Sequence, residues 1–370
     1  AMVQVVDHSL SERNLHDDVI MSANGLDGAQ ESLFSKFKYN LNDSISFTLT
    51  VDEQNWDGDW NVATDVGMSY FPSLVNTSSS LGQDRGFRDR YSLDIDFNIN
   101  SIFAESASVK FYSQTTEQSQ MTTKEKQTFG RGPQFGPTSM VAEISNYHFN
   151  QEVTGISAQL SNSFKTIFGH EHDLVYGFEN ESIETQRPRS KLNIDAMSGV
   201  TTSIFGADRF PNKTFPDTEV KRIGIFINDR INVTDRATLV MGLRYDSYDL
   251  EPTPDTLFNN SNVSSYDLAN IDDSSVSSKV GVMYDLSDNI SAYMQYAEGF
   301  RSPDYESANL TFTNFAYYYS VAPNPDLDSE ESSGFEVGLR GTIDSHQFSL
   351  AAYDTDYENF IDTAVTGATP

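Results

Sequence analysis

Residues 91–99 read YSLDIDFNI, with Tyr91, Leu93, Ile95, Phe97 and Ile99 on one parity and Ser92, Asp94, Asp96 and Asn98 on the other. Side chains of a strand point alternately to opposite faces, so this segment offers one wholly apolar face and one that carries two carboxylates. A dry core rejects the second face and water does not solvate the first. A wall with hydrocarbon on one side and water on the other accepts both, which is the pattern of a membrane-spanning strand in a β-barrel. The same period recurs at Ile45, Phe47, Leu49 and Val51, at Ile223, Ile225 and Ile227 (where Phe226 breaks the polar parity), at Leu239, Met241, Leu243 and Tyr245, and at Val280, Val282, Tyr284 and Leu286. Propeller blades and sandwiches bury both faces or one dry face, and do not tolerate Asp94 and Asp96 opposite a clean apolar row.

Between these segments the connections alternate in length. Turn formers cluster at Asn42-Asp43, Asn98 to Ser101, Gly169 to His172, Thr234 to Arg236, Ser287 to Asn289 and Asp344-Ser345. Polar stretches of roughly 20 to 35 residues, long for loops in a compact soluble domain, fall at Asp52 to Arg85, Arg187 to Asp217, Glu251 to Ser275 and Pro303 to Ser332. Short turns on one rim and long loops on the other predict an all-β fold, an antiparallel transmembrane β-barrel of outer-membrane type with about twelve strands in six hairpins. The hairpins occupy residues 29–362, with 1–28 an unassigned N-terminal stretch and 363–370 the start of a further loop.

Composition narrows the function. No run of about 18 apolar residues exists, so no helix of this sequence spans a membrane. The 54 acidic residues against 24 basic ones leave a formal charge of −30, which repels phosphate backbones and excludes a nucleic-acid partner. The chain has no cysteine, which excludes thiolate metal sites and cysteine nucleophiles. Neither G-x-S-x-G nor H-E-x-x-H nor a phosphate-cradling glycine loop is present, and no enzyme is expected.

EGFRSP at Glu298 to Pro303, PNPDL at Pro323 to Leu327 and the following SEESSGFEVGLRG resemble the signature of TonB-dependent outer-membrane receptors, particularly their haem and haemoprotein branch. The blocks from Phe215 (FPDTEVKRIGIFINDRINVTDRATLVMGLRYDSYDLEP) and from His172 (HDLVYGFENESIETQRPR) are similar to further parts of the same family, in the family's order. The resemblance implies a 22-stranded barrel closed by an N-terminal plug, energised through TonB. This chain then corresponds to the central barrel portion, with about 12 of the 22 strands and neither the plug nor the closing strands; a smaller closed barrel built from these hairpins alone is the alternative. It also implies location in the bacterial outer membrane, and uptake of an iron-containing nutrient, first of all haem or haem from haemoproteins. A siderophore or other metal-chelate receptor and a passive porin or adhesion barrel are the other readings. No permanently bound cofactor is expected; haem or a ferric chelate is cargo, and the partners are TonB, the cargo and outer-membrane lipid.

By the same resemblance the signature positions are Phe300, Arg301, Pro303, Asn324, Pro325 and Leu327. Haem receptors of this family carry a ligand histidine in the loop between the two signature blocks, and here that loop has none. It offers Tyr305, Tyr317, Tyr318 and Tyr319, with Phe312 and Phe315 beside them. Tyrosinate ligates ferric haem iron, whereas tyrosines equally form interfacial girdles and loop packing. His148, near the outer end of a strand, is the candidate histidine; His170-x-His172 falls in a short turn far from the loops. Arg301 reads either as a ligand contact at the mouth or as one half of a salt bridge in the barrel wall. Arg222, Arg244, Lys279 and Arg340 against Asp94, Asp246 and Glu336 read as wall pairs. Asp272 and Asp273, and the carboxylates from Asp326 to Glu331, read as oxygen ligands for a divalent cation or as solvated loop charge.

Overall fold

The computed structural model describes residues 25–70, 73–130, 132–206, 208–261, 267–314 and 319–363. Tyr317, Tyr318 and Phe315 lie outside the described residues, as do His8 and His16. Twelve long strands follow one another in sequence order: β1 (Leu26–Asn40), β2 (Ile45–Asn61), β3 (Val75–Asn98), β4 (Ser106–Thr128), β5 (Ser139–Lys165) and β6 (Glu171–Gln186). Then come β7 (Asp217–Thr234), β8 (Ala237–Thr253), β9 (Ile271–Ser287), β10 (Ile290–Arg301), β11 (Glu330–Ile343) and β12 (His346–Glu358). Each pairs antiparallel with its neighbours in sequence, so one sheet runs from β1 to β12 without a crossover. Among the described residues β1 and β12 do not pair with each other, and that ladder is the one a barrel closed by these strands alone requires.

Register converts the alternation into two faces. Leu49 stands opposite Leu93, Leu93 opposite Phe111, and Phe111 opposite Ile156, so one apolar row crosses four strands. One residue along, Thr48, Asp94, Lys110, Ser157, Glu179, Gly224 and Asp246 form a polar row on the other face. The apolar row is bare: Ile225 is 54% and Leu243 50% exposed. Tyr91 to Ile99 spans roughly 26 Å at ~3.3 Å per residue, close to the ~25 Å apolar band of outer-membrane barrels. Phe226, the exception to the alternation, turns to the polar face beneath the Arg244 guanidinium, 5.9 Å from its ring, and beside Gly177.

Short turns close each hairpin on one rim. Asn100 and Asp344 adopt φ of 53° and 52°, and Gly169 one of 89°, left-handed geometry that Asn, Asp and Gly tolerate best. Two turns are displaced from the sequence reading: one occupies 99–105, and the other 166–170, which puts His172 inside β6. The largest difference is on the other rim. The expected loop from Asp52 to Arg85 is mostly strand, since β2 continues to Asn61 and β3 starts at Val75. Its polar residues hide the period, because above the bilayer both faces of a strand meet water and alternation carries no signal. β3, β4 and β5, with 24, 23 and 27 residues, therefore rise far beyond the apolar band.

Among the described residues, a buried apolar cluster sits on the polar face beneath the long loops. Val220, Tyr248, Leu250, Ala269, Ile271 and Ala308 pack together, with Ile183, Tyr305 and Leu327 against them. Short helices α1 (Thr256–Ser261) and α2 (Tyr305–Asn309) belong to the loops that cover it.

Candidate functional site

The signature residues build the corner where β10 leaves the wall. Arg301 ends the strand with Nη1 3.1 Å from the Glu330 carboxylate and Nη2 3.7 Å from Asp304. Asp304 caps α2, accepting from the Ser307 amide at 2.7 Å. The buried Pro303 presents its carbonyl to the Tyr248 hydroxyl at 2.8 Å, and Leu327 returns the chain onto the cluster under it. The Asn324 side chain accepts from the Asp326 amide at 3.1 Å, an Asx turn that starts the descent into β11. Arg301 keeps most of its side chain exposed, so the ion pairs orient it without burying it.

Below this corner the inner wall lines a groove of about 630 Å³. Its charges are matched: Arg244 lies 2.8 Å from Asp246 and 3.0 Å from Glu179, and Arg222 lies 3.6 Å from Glu181 while its guanidinium covers the Tyr248 ring at 5.6 Å. Tyr112 donates to Glu181 at 2.6 Å, and its ring lies across Gly155, where an added Cβ would fall 2.2 Å from it. Lys110 pairs with Asp94, and Glu336 accepts from Tyr293 and Gln295. Lys279 and Arg340 are exposed and hold no ion pair among the described residues.

Tyr305 opens α2 and reaches the base of the other long loop. Its hydroxyl donates to Glu306 at 2.9 Å and accepts from Arg187 Nη1 at 3.3 Å, while its ring meets Phe215 edge-on at 5.8 Å. Burial is the main influence on the phenol and raises it, Arg187 draws it back, and the bond to Glu306 raises it again, to about 12. At neutral pH Tyr305 is therefore a protonated hydrogen-bonding residue and not a tyrosinate. Arg187 also ion-pairs with Glu306, and its guanidinium is sandwiched between Phe149 at 5.8 Å and Phe215 at 5.0 Å. This hub ties the 187–216 loop to α2.

The same loop is pinned at its far end. Lys213 is buried, with Nζ 2.6 Å from Asp217 and 2.8 Å from Asp255. Burial pulls the ammonium down, but the two carboxylates outweigh it and hold Lys213 above its ordinary 10.5. Burial likewise raises Asp255, and the Lys213 bond together with the Phe258 and Leu257 amides leaves it below its ordinary 3.8.

The remaining expected site residues separate. His148 is not at the Arg301 groove: counted from Ile156 it falls on the parity of Ile156 and Leu160, and it lines the cavity shared by Tyr147, Phe149 and Phe215. Tyr319 is exposed on a two-stranded ribbon (Phe312–Asn314 with Tyr319–Val321), its ring edge-on to Phe312 at 5.7 Å and not beside Tyr305. His172 does not join His170: its Nδ1 lies 2.8 Å from Asp229, and its ring stacks on Phe164 at 4.9 Å. Asp272 and Asp273 stand in β9, and Asp273 accepts from Ser329. Glu330 takes Arg301 and the Ile361 amide. Among the described residues no three metal-capable side chains converge. Sequence reading passed over Arg187, Phe149, Phe215 and Lys213. The available signal was charge: Arg187, Arg189 and Lys213 are cations interrupting a loop of a strongly acidic chain.

A family profile described as TonB dependent receptor-like, beta-barrel matches residues 34–370. A hemoglobin and hemoglobin-haptoglobin-binding protein B of Haemophilus influenzae is 34% identical over 91 residues, 25% of this chain and 8% of the relative. The ferripyoverdine receptor of Pseudomonas aeruginosa is 24% identical over 200 residues, 52% of this chain and 21% of the relative. The crystal structure of that receptor bound to ferripyoverdine superposes with a TM-score of 0.55 at 16% identity, covering 90% of this chain and 42% of the other. The chain thus spans less than half the length of the relatives it matches.

Proposed function

This chain belongs to the TonB-dependent receptor family through its β-barrel, an outer-membrane transport fold, and from that premise we propose that it serves energised uptake of an iron-containing nutrient, haem in the first place. The observation that carries the reading is the gathering of Arg187, Phe149, Phe215 and Tyr305 at the long-loop rim, beside an inner wall lined by charged and polar side chains. Aromatic faces and a guanidinium suit a flat, partly apolar ligand that also carries charge. The identity shared with a hemoglobin-binding receptor supports haem over other iron carriers. In this reading the loops capture, the signature corner at Arg301 keeps the 302–329 loop in register with the wall, and the matched charges of the inner face form a hydrated path. TonB, acting through a plug, supplies the energy; the barrel's own residues bind and guide, and no catalytic step is required.

A ferric chelate is the second reading, favoured by the ferripyoverdine receptor's likeness over twice as much of this chain. Titrating the full-length receptor with ferric haem separates the two. A saturable Soret shift is expected; no shift, together with binding of an anionic ferric siderophore, would replace haem by the chelate.

A further inference from the structure

Every Lys or Arg among the described residues is either exposed or within 4 Å of a carboxylate, except Arg189. In a chain of 54 acidic and 24 basic residues, a half-buried cation without a counter-ion runs against the statistics of its own composition. A desolvated charge left unpaired is costly, and the arrangement around Arg189 does not relieve it. Burial lowers its pKa, and Asp208 acts on it only from beyond ion-pair distance.

What surrounds the side chain fixes it in place. Its Nε donates to the Asn212 side-chain oxygen at 2.5 Å, and the wholly buried Asn212 is itself held through its amide by the Arg209 carbonyl at 2.9 Å. The guanidinium plane sits over the Phe210 ring at 5.6 Å. With one edge and one face used, and no bond to its Nη pair among the described residues, the guanidinium presents a fork, the geometry that binds carboxylate bidentately. Arg189 lines a cavity of about 380 Å³ together with Tyr147, Phe149 and Phe215. The one carboxylate lining that cavity, Glu306, is engaged by Arg187 and Tyr305.

We propose that Arg189 is an anion anchor, its guanidinium fork taking a carboxylate of a planar aromatic ligand that lies along Tyr147, Phe149 and Phe215. The assignment rests on reading the long-loop rim as the ligand face, and it adds a requirement that reading does not contain: the cargo presents a carboxylate, whether on a porphyrin or on a chelator. Ligand binding then completes an ion pair that the empty protein leaves open.

The test uses the full-length receptor in detergent micelles with two small probes, 2-naphthoate and its neutral amide, titrated by saturation-transfer NMR. Wild type is expected to bind the carboxylate about ten-fold more tightly than the amide. Arg189→Gln is expected to abolish that preference while leaving amide binding unchanged. Arg189→Lys, which keeps charge but loses the fork, is expected to retain only part of the preference, and it serves where the glutamine variant does not insert. Equal affinity of wild type for both probes, or a preference as large as the wild type's in either variant, overturns the proposal. Haem titration of the same samples is read separately. A receptor that prefers naphthoate through Arg189 but gives no Soret shift keeps the anchor and loses haem as cargo; a Soret shift without naphthoate preference does the reverse.

Discussion

At the scale of single residues, two side chains make the account testable through their protonation. Lys213 bridges Asp217 and Asp255 from a buried position, so removing its ammonium strands two carboxylates at the foot of the 187–216 loop. Lys213→Met is expected to destabilise that loop by somewhat less than the ~3–5 kcal/mol of a fully buried pair, because Asp255 is partly solvated. Limited proteolysis reads this as new cleavage between 187 and 216, with the barrel strands still protected. The sign of the pH dependence follows from the shifts. Asp255 sits below its ordinary 3.8 in the fold, so its contribution is present above that pH and lost as pH falls through the depressed value. Lys213 sits above its ordinary 10.5, so its contribution is present below that pH and lost as pH rises through the raised value. Loop protection in the wild type should therefore be level across neutral pH and fail at both extremes. Tyr305 gives the second prediction. Its hydroxyl is already held between Glu306 and Arg187, and burial further disfavours the phenolate, so Tyr305 is assigned a structural role and Tyr305→Phe should leave the haem absorption spectrum of the full-length receptor unchanged. Loss of a tyrosinate charge-transfer band in that variant would contradict this assignment.

At the scale of the strand, the two faces differ in what they tolerate. Ile225 lies in the apolar row of β7, and Ser275 stands opposite Asp246 in the polar row. Lysine at mid-band on the lipid side costs about 2–4 kcal/mol, whereas on the inner side it meets water and carboxylates. Ile225→Lys should therefore lose outer-membrane insertion, measured by heat-modifiable gel mobility, while Ser275→Lys inserts like the wild type. The same physics explains what the sequence reveals. Where a strand divides oil from water, as at Tyr91 to Phe97, parity alone identifies it and even its register partners, Leu49 and Phe111, carry the same pattern. Where a strand stands above the band, as in Gln54 to Asn61, both faces are wet and strand reads as loop. The site was less legible for a different reason. Arg187, Phe149 and Phe215 come from three distant stretches and meet through loop packing, which no local period encodes. His148 falls by parity, counted from Ile156, on the outward face, and at the long-loop rim it lines the Arg189 cavity.

At the scale of the whole molecule, the strand order from β1 to β12 lets every hairpin form from neighbours in sequence, so the wall assembles without a topological decision. The charge of −30 is carried mostly by loops, upper strands and the inner face, and the outward band is largely apolar, with Asp354 opposite Phe335 and Asp229 opposite Met241 as its acidic exceptions. All of the functional reading depends on that division, since a ligand path exists only if the Asp94 side holds water and a membrane location only if the Leu93 side holds lipid. Residues 1–370 hold no cysteine, so single cysteines introduced along one strand measure the division one position at a time. Single cysteines placed from Tyr91 to Asn98 in the full-length receptor, spin-labelled and reconstituted in bilayers, report their accessibility to oxygen and to a water-soluble nickel chelate. Strict alternation is expected, with oxygen favoured at positions 91, 93, 95 and 97 and the nickel chelate at 92, 94, 96 and 98. Both reagents excluded from the odd positions, as in a dry protein interior, would contradict it.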